Sequence, residues 1–482
     1  MPSITSKSVT KNFIWRFLER CGAQFMNLVI SIVLARLIAP EVYGSIALVT
    51  VLITIMQVFV DSGLGIALIQ KKDADDIDFS TVFYFNTLMC LGLYAIIFLT
   101  APYIAEFFDD RVLTGVIRVL SLSVIASGVK NVQQAYVTRN MMFKRFFFST
   151  LGGITISAII GIWMAYRGYG IWALVAQYVS NVFIDTAILW ITVSFRPSVV
   201  FSFKRLKVLF SYGWKLLVSS LLETVYQDIR QIVIGKMYTS SDLAFYNRGS
   251  QFPKVIVGNI NTSIDSVLLP TMSKVQDDKI AVKEMTRKSI KVSTYVMAPL
   301  MMGLAFSSDS VVKLLLTEKW MPCVPYLVIF CITYMFYPIH TANLNALKAM
   351  GRSDYYLKLE ILKKIVGMTV LLSTMWFGPL VMCASAALAS FLSQVINAWP
   401  NKKLLGYSLL EQYKDIVPSL LLSVVMGISV YIIGIILPLP MLPLLVIQVI
   451  CGVIVYIGLS VIFKIDAFNY VLGMLKSLLK RK

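Results

Sequence analysis

Apolar residues recur in long runs along the whole chain, and these runs predict helices that cross a membrane. A span needs about 20 apolar residues, and fourteen segments meet that criterion. They cover residues 13–37, 43–63, 81–103, 116–137, 147–166, 170–194, 209–235, 243–270, 292–307, 324–347, 361–377, 379–399, 416–437 and 443–463. The connections between them are short and leave no room for a folded domain outside the membrane. We therefore expect an all-α integral membrane protein with about 14 transmembrane helices.

The first apolar run carries a line of polar side chains that lipid would not tolerate. Arg16, Arg20, Gln24, Asn27 and Ser31 follow one another at spacings of 4, 4, 3 and 4 residues. Such spacings place the five side chains on one face of an α-helix. Because a charge in the middle of a bilayer costs about 2.5–3.5 kcal/mol on insertion scales, we expect this face to line a water-filled cavity.

Three further predicted spans carry polar stripes of the same kind. The stripes consist of Thr50, Thr54, Gln57 and Asp61 in span 2, of Lys215, Ser219, Glu223, Gln227 and Arg230 in span 7, and of Lys254, Gly258, Asn261 and Asp265 in span 8. Of the 17 charged residues that fall within spans, twelve belong to spans 1, 2, 7 and 8. The polar interior is therefore expected to be built by these four helices.

The stripes recur after about 200 residues, which indicates two copies of one unit. Trp15-Arg16 returns as Trp214-Lys215, and Leu34-Ala-Arg-Leu37 returns as Ile234-Gly-Lys-Met237. A unit with an even number of spans gives parallel repeats, related by an axis along the membrane normal. We expect two pseudo-symmetric six-helix bundles, over residues 1–200 and 201–400. Residues 401–482 are predicted to add two peripheral helices and an amphipathic tail on the cytoplasmic surface.

The composition is that of a membrane protein, and the position of the basic residues indicates why the net charge is positive. The 482 residues are 58% hydrophobic and 14% charged, with a formal net charge of +19. Most Lys and Arg residues lie in short loops between the apolar runs, so we expect membrane topology rather than a nucleic-acid partner to explain the charge. If the N-terminus is cytoplasmic, the loops and ends on that side hold 28 basic residues and the opposite loops hold 5. Both termini are therefore predicted to be cytoplasmic.

Two observations limit the chemistry expected of the chain. The six cysteines show no CxxC or metal-ligand spacing, so no metal site is predicted. Residues 1–12 are polar and no small-residue cleavage site follows, so the first span is expected to stay in the mature protein.

Four stretches resemble a known family of transporters. They are Leu34-Ala-Arg-Leu-Ile-Ala-Pro-Glu-Val-Tyr-Gly44, Asp61-Ser-Gly-Leu-Gly-Ile-Ala-Leu-Ile-Gln70, Ala244-Phe-Tyr-Asn247 and Leu268-Leu-Pro-Thr-Met-Ser-Lys-Val-Gln-Asp-Asp278. The chain resembles the polysaccharide flippases of the multidrug/oligosaccharidyl-lipid/polysaccharide exporter superfamily, in the branch that contains the colanic acid translocase. The resemblance implies two bundles in an inverted V around a cationic cavity. It also implies alternating access that carries an undecaprenyl-pyrophosphate-linked oligosaccharide across the bacterial inner membrane, with no cofactor.

The stripes supply the candidate site residues. We expect cations and amides of the stripes to bind the substrate, and the candidates are Arg16, Arg20, Gln24, Lys215, Arg248 and Lys254. Acids on the same helices could bind a coupling H⁺ or Na⁺, or could pair with neighbouring bases. The coupling-ion candidates are Glu223, Asp61, Asp228 and Asp265. Asp185, in span 6, has no evident partner in the sequence, and His340 is expected to be a packed polar residue.

Two other classes of function compete with a flippase. A drug or cation antiporter of the same superfamily should favour acids in its cavity, whereas spans 1, 2, 7 and 8 hold seven bases against five acids. A membrane polymerase or ligase acting on prenyl-linked glycans would need a sizeable outward loop with catalytic groups. The longest outward loop, residues 307–323, offers only Asp309, Lys313, Glu318 and Lys319 as charged side chains. The sequence therefore favours a transporter over an enzyme.

Overall fold

The protein is almost entirely helical and crosses the membrane several times. A computed structural model describes residues 6–61 and 63–480, which form α-helices and one short 3-10 helix but no strand. Eleven helical segments of this part of the chain are long and apolar enough to cross a membrane. The predicted all-α membrane fold is thereby confirmed. Contacts divide the chain into two compact units, Met1–Leu243 and Ala244–Lys482.

Unit 1 contains the first nine helices. They are α1 (Ser6–Leu37), α2 (Pro40–Asp61), α3 (Leu64–Gln70), α4 (Asp76–Phe107), α5 (Val112–Leu120), α6 (Leu122–Arg139), α7 (Phe143–Tyr166), α8 (Ile171–Thr192) and α9 (Phe203–Met237). Helix α9 packs against α2, α3 and α4, so by its contacts it belongs to this unit, although its sequence corresponds to the start of the second predicted repeat.

Unit 2 contains the remaining helices, the first of which begins in the last residues of unit 1. They are α10 (Ser240–Ser273), α11 (Lys279–Phe306), α12 (Ser308–Leu315), the 3-10 helix Glu318–Cys323, α13 (Val324–Met335), α14 (Tyr337–Ala349), α15 (Ser353–Thr374), α16 (Pro379–Leu405), α17 (Leu409–Ile436), α18 (Met441–Ile462) and α19 (Asp466–Lys480). The last of these helices is the predicted tail, whose final residues, Arg481 and Lys482, lie outside the described residues.

Three predicted spans are helices that fall short of the apolar criterion. Helices α9, α10 and α15 have 35, 34 and 22 residues, which is long enough to cross a bilayer. Each carries charged side chains within its length, for example Asp228 in α9 and Lys254 in α10. The count of fourteen spans therefore stays a prediction, and it depends on these three polar helices.

The fourth predicted span of each repeat is broken in its middle. Residues 116–137, predicted as one helix, belong to α5 and α6, which meet at Ser121. Residues 324–347 belong to α13 and α14, which meet at Phe336, and Pro338 lies in the first turn of α14. Proline has no backbone N–H and cannot continue a preceding helix. A break at the same place in the order of helices is what an internal repeat predicts.

Charged side chains hold the predicted cytoplasmic ends of α3, α4 and α9 together in unit 1. Asp75 caps α4 through a capping box with Asp78. The Arg205 guanidinium of α9 donates a hydrogen bond to Asp75, which lowers the pKa of that carboxyl. Lys71 Nζ lies 2.6 Å from Asp78 Oδ2. The Arg139 guanidinium donates to the carbonyl oxygens of residues 68, 71 and 72, at and after the end of α3, at 2.5–2.7 Å, where backbone acceptors lack helical partners.

An equivalent set of contacts fixes α11 to α17 in unit 2. The Arg287 side chain donates two hydrogen bonds to the Asp415 carboxylate, at 2.7 and 2.8 Å. Lys291 Nζ lies 3.2 Å from the same carboxylate, and the Tyr407 hydroxyl donates to it at 2.8 Å. These contacts attach α17, one of the two helices predicted to be peripheral, to α11 of unit 2.

Candidate functional site

Helix α2 presents only polar residues at its surface. Its exposed residues are Glu41, Thr50, Thr54 and Asp61, and the rest of the helix is buried or half-buried. A helix that faced lipid would expose apolar side chains instead, because lipid offers a polar group no hydrogen-bond partner. The exposed face of α2 therefore suits contact with water better than contact with lipid.

The exposed face of α10 is similarly polar. It begins at Lys254, and all of the exposed residues except Gly258, Val267 and Pro270 are polar. They are Lys254, Asn259, Thr262, Ser263, Asp265, Ser266, Thr271 and Ser273. The Thr262 and Ser263 hydroxyls donate to carbonyl oxygens of their own helix at 2.8 Å, so their lone pairs can still accept a hydrogen bond from a ligand.

Helix α1 exposes two faces of different character. Its buried residues, such as Ile30 and Leu34, belong to a hydrophobic cluster with residues of α7 and α8. The predicted candidates Arg20 and Gln24 are exposed, and next to their face lies an apolar one with Phe25, which is 66% exposed. A polar and an apolar exposed face thus adjoin on one helix.

Arg16, at the beginning of the α1 stripe, is held by its neighbours. Its guanidinium donates to Glu19 at 2.8 Å, which is the pairing that the sequence offers as an alternative to substrate binding. The guanidinium carbon also lies 5.7 Å from the ring centre of Phe143 and 5.3 Å from that of Phe146, within the range of cation–π attraction.

The structure separates the two basic candidates of α10. Arg248 is 7% exposed, donates to Gln251 at 2.6 Å and lies over the Trp320 ring at 5.2 Å. Lys254 is exposed and makes no hydrogen bond or ion pair with another described residue of its unit. Lys215 of α9 and Arg20 of α1 are likewise exposed, and neither has such a partner among the described residues of unit 1. Of the basic candidates, Arg20 and Lys215 in unit 1 and Lys254 in unit 2 are therefore exposed to a ligand.

The acidic candidates on α2 and α10 are each bound by an asparagine from another helix. Asn131 of α6 donates to Asp61 at 3.4 Å, and Asn345 of α14 donates to Asp265 at 2.6 Å. Gln57 is a second donor to Asp61, at 3.5 Å. The sequence contains a signal for these partners, since Asn131-Val-Gln-Gln-Ala135 resembles Asn343-Leu-Asn-Ala346. That similarity shows related segments and does not reveal which acid each segment contacts.

The two acidic candidates on α9 make contacts with glutamines of their own helix. Gln227 donates to Glu223 at 2.8 Å, and Gln231 donates to Asp228 at 2.8 Å. Both acids lie half-buried.

Two polar residues of the spans have partners that sequence reasoning did not find. Lys130 of α6 forms an ion pair with Asp185 of α8 at 3.0 Å, and both side chains are only 15% exposed. The unexplained acid of span 6 therefore has a structural partner. His340 contacts the Asn397 amide at 2.9 Å and the Ser390 hydroxyl at 3.4 Å, as expected of a packed polar residue.

Comparison with solved structures shows which class of fold this is. The chain is similar to the lipid II flippase MurJ in an inward closed conformation, with a TM-score of 0.77 and 15% identity over 94% of this chain and 100% of that one. It is also similar to an inward-facing multidrug resistance transporter of the MATE family, with a TM-score of 0.61 and 12% identity over 80% of this chain and 94% of that one. At these identities the likeness shows the fold, which is that of a membrane transporter.

Comparison of sequences shows the family. A family model described as "Polysaccharide biosynthesis protein" matches residues 33–325, more than half of the chain, and the chain belongs to this family. It is 26% identical to the teichuronic acid biosynthesis protein TuaB of Bacillus subtilis (strain 168), over 78% of each chain. It is 23% identical to the succinoglycan biosynthesis transport protein ExoT of Rhizobium meliloti (strain 1021), over 66% of this chain and 65% of that one. It is also 23% identical to the lipopolysaccharide biosynthesis protein WzxC of Escherichia coli (strain K12), over 77% of this chain and 75% of that one.

Proposed function

We propose that the protein is a flippase for a lipid-linked oligosaccharide. It moves an undecaprenyl-pyrophosphate-linked repeat unit across the bacterial inner membrane by alternating access, with both chain termini in the cytoplasm. The observation that carries the proposal is the polar surface of α2 and α10 within a membrane-spanning protein. Membership of a polysaccharide biosynthesis family and similarity to a transport protein and a flippase support it.

The exposed side chains suit the two parts of the substrate that lipid excludes. A pyrophosphate linkage needs cations once it leaves bulk water, and Arg20, Lys215 and Lys254 are exposed cations on the polar helices. Sugar hydroxyls both donate and accept hydrogen bonds, and α10 exposes hydroxyls together with the amide of Asn259. The polar helices of the two units therefore offer charge for the linkage and neutral polar groups for the oligosaccharide.

Coupling to H⁺ or Na⁺ is the second part of the proposal. Asp61 and Asp265 are exposed on the polar helices, each held by an asparagine, while Glu223 and Asp228 lie on the stripe of α9. An ion bound at such an acid would change the charge that an anionic substrate meets, which links ion movement to substrate affinity. Glu223 is our first candidate, because it shares its stripe with Lys215.

A drug or cation antiporter is the alternative, favoured by the fold shared with a MATE transporter. Deletion of the gene distinguishes the two. If the protein is a flippase, the deletion strain should lose a surface polysaccharide and accumulate prenyl-linked intermediates. The gene on a plasmid should reverse both changes. If the protein is an antiporter, the deletion strain should have a normal surface glycan and an increased sensitivity to cationic drugs. Unchanged surface glycan and unchanged lipid-linked intermediates in the deletion strain would contradict the flippase.

A further inference from the structure

Unit 1 contains an apolar cavity that the flippase site does not use. It has a volume of about 330 Å³ and is lined by residues of four helices, among them Leu52 of α2, Ile104 of α4, Leu113 of α5 and Ile232 of α9. Apart from the Tyr103 hydroxyl, every lining side chain is apolar. The volume is within the range of ligand cavities, about 300–1,000 Å³. It is sufficient for a short stretch of branched hydrocarbon.

The cavity opens toward the predicted outward surface of the membrane. Tyr103 and Phe107, which line it near the end of α4, are 72% and 53% exposed. Aromatic residues of this kind are enriched where a membrane meets water. An apolar cavity does not hold water well, and the abundant apolar molecules at this depth are lipid chains. The occupant that fits is therefore a hydrocarbon chain.

Helix α2 forms a wall between this cavity and the polar face described above. Leu48 and Leu52 line the cavity, whereas Thr50 and Thr54 are exposed on the roughly opposite side of the same helix. One helix thus offers apolar contacts on one side and polar contacts on the other. A molecule with a long apolar chain and a large polar head needs both kinds of surface.

The charges at the mouth of the cavity select against an ordinary anionic phospholipid. Glu106 lies in the last turn of α4, and Asp109 and Asp110 lie in the loop after it, with Arg111 and Lys236 as the nearby bases. Lys236 Nζ is already bound by Asp109 at 3.0 Å and by the Phe107 carbonyl at 2.6 Å. A phospholipid carries its phosphate next to its chains, so a chain in the cavity would place that phosphate near the carboxylates of Glu106 and Asp110. A polyprenyl chain is long enough to enter while its pyrophosphate lies elsewhere.

We propose that this cavity binds part of the polyprenyl chain of the lipid carrier. The inference rests on the proposed flippase function, because that function supplies a substrate with a polyprenyl chain. The chain would occupy the apolar side of α2 while the head group contacts the polar side of the same helix. The cavity then determines which lipid anchor the protein accepts, independently of the sugar.

Photolabelling of the purified full-length protein tests this proposal. The probe is a polyprenyl phosphate with a benzophenone in its chain, added to the protein in phosphatidylcholine nanodiscs. We expect adducts on peptides that line the cavity. An excess of unlabelled polyprenyl phosphate should remove them, and equal amounts of phosphatidylglycerol or phosphatidylethanolamine should not. Equal competition by either phospholipid would overturn the proposal, since the cavity would then be a general lipid site.

A cavity-filling variant provides the matched comparison. Leu52→Trp fills the cavity, and Leu99→Trp adds the same side chain on α4 at a residue that is 70% exposed and does not line the cavity. We expect Leu52→Trp to lower cavity labelling by about tenfold or more, a factor that corresponds to about 1.4 kcal/mol, and Leu99→Trp to leave it unchanged. If Leu52→Trp fails to fold, the competition experiment on the unmodified protein still shows whether the cavity prefers a polyprenyl chain over a phospholipid. Adducts spread evenly over the lipid-facing helices would contradict the proposal.

The transport experiments separate this inference from the flippase proposal itself. Lys254→Ala should impair export of polysaccharide and leave the adducts on the same cavity peptides, because Lys254 does not line the cavity. If glycan export depends on the gene but the cavity is not labelled, only the chain-binding inference fails. If the deletion strain has a normal glycan, the flippase proposal fails whatever the photolabelling shows.

Discussion

The side-chain amide of Asn345 donates a hydrogen bond to the Asp265 carboxylate at 2.6 Å. Asp265 lies on the exposed polar face of α10, and Asn345 is 1% exposed in α14. In unit 1, Asn131 of α6 has the same relation to Asp61 of α2, at 3.4 Å. In each unit, an acid on a polar helix is thus fixed by an asparagine from the second half of a broken helix.

Replacement of Asn345 tests whether this pairing matters for transport. Asn345→Ala removes a hydrogen bond to a charged group, a contact worth about 1.5–3 kcal/mol. We expect roughly a tenfold to hundredfold loss of polysaccharide export in a complemented deletion strain, at about 1.4 kcal/mol per factor of ten. Asn140→Ala is the control, because the exposed Asn140 side chain donates only to the Tyr136 carbonyl of its own helix. Equal export by both variants would show that Asp265 functions without its partner.

Removal of the exposed cations tests the cationic site. Lys254→Ala and Lys215→Ala should each fail to restore surface polysaccharide while the protein reaches the membrane at normal levels, because each loses a charge-assisted contact to the pyrophosphate. Lys254→Arg should keep substantial activity, since a single contact to a flexible phosphate requires a cation more than one geometry. Lys358→Ala, at an exposed lysine of α15 outside the four polar helices, should have almost no effect. Full complementation by both alanine variants at 254 and 215 would exclude the cationic mechanism.

Thiol labelling distinguishes water from lipid around the exposed residues. Single cysteines at Thr54 and Thr262 should react with a membrane-impermeant thiol reagent, because both residues lie on polar exposed faces. Cysteines at Val425 and Ile428, which are 49% and 45% exposed on α17, should not react, because their surroundings in α17 are apolar. The measurement is the labelled fraction of each variant in intact membranes. Similar labelling of all four variants would contradict the proposal that the exposed faces of α2 and of α10 each contact water.

A glycine at the start of α2 permits a close contact that an alanine would block. A Cβ on Gly44 would lie 1.7 Å from the carbonyl oxygen of Ser240, in the first turn of α10. Overpacking of this kind typically costs about 1–3 kcal/mol, so Gly44→Ala should lower the melting temperature of the purified protein and reduce export. Gly92→Ala is the matched control, because nothing lies within 4 Å of its added Cβ and alanine favours a helix. Unchanged stability of the Gly44 variant would show that this contact does not form.

The contact between Arg205 and Asp75 predicts a stability difference that depends on pH. Arg205 lowers the pKa of Asp75 in the folded protein, so the ion pair stabilises the fold above the ordinary carboxyl pKa and is lost as the pH falls through the folded value. Asp75→Ser keeps an N-cap residue but removes the charge. We expect it to lower the melting temperature slightly at pH 7, with the difference from the wild type vanishing in acid. Asp75→Ala should cost about 1 kcal/mol more at pH 7, because it also removes the cap. If the melting temperatures of Asp75→Ser and the wild type differ by the same amount at all pH values, the ion-pair explanation is contradicted.

The sequence by itself determined the features that depend on local periodicity. Runs of apolar residues specify membrane helices because a bilayer requires a fixed length of apolar chain. Spacings of three and four residues specify the face of a helix on which polar side chains lie. The exposed polar faces of α2 and α10 were predictable for this reason, as was the helical fold. The family was predicted instead from the resemblance of four stretches of sequence. The breaks at Ser121 and Phe336 were not predicted, because the residues around them are apolar enough to read as continuous spans.

Only the tertiary structure decided which polar residues are available and which have partners. Arg248 and Lys254 are both basic residues of one predicted span. In the structure Trp320 and Gln251 contact Arg248, whereas Lys254 is exposed. The pairs Lys130–Asp185 and Asn345–Asp265 join residues 55 and 80 positions apart, and the apolar cavity is lined by four different helices. Periodicity assigns a side chain to a face of its own helix. Which neighbour covers that face depends on the packing of segments distant in the chain, and one-dimensional patterns do not contain that information.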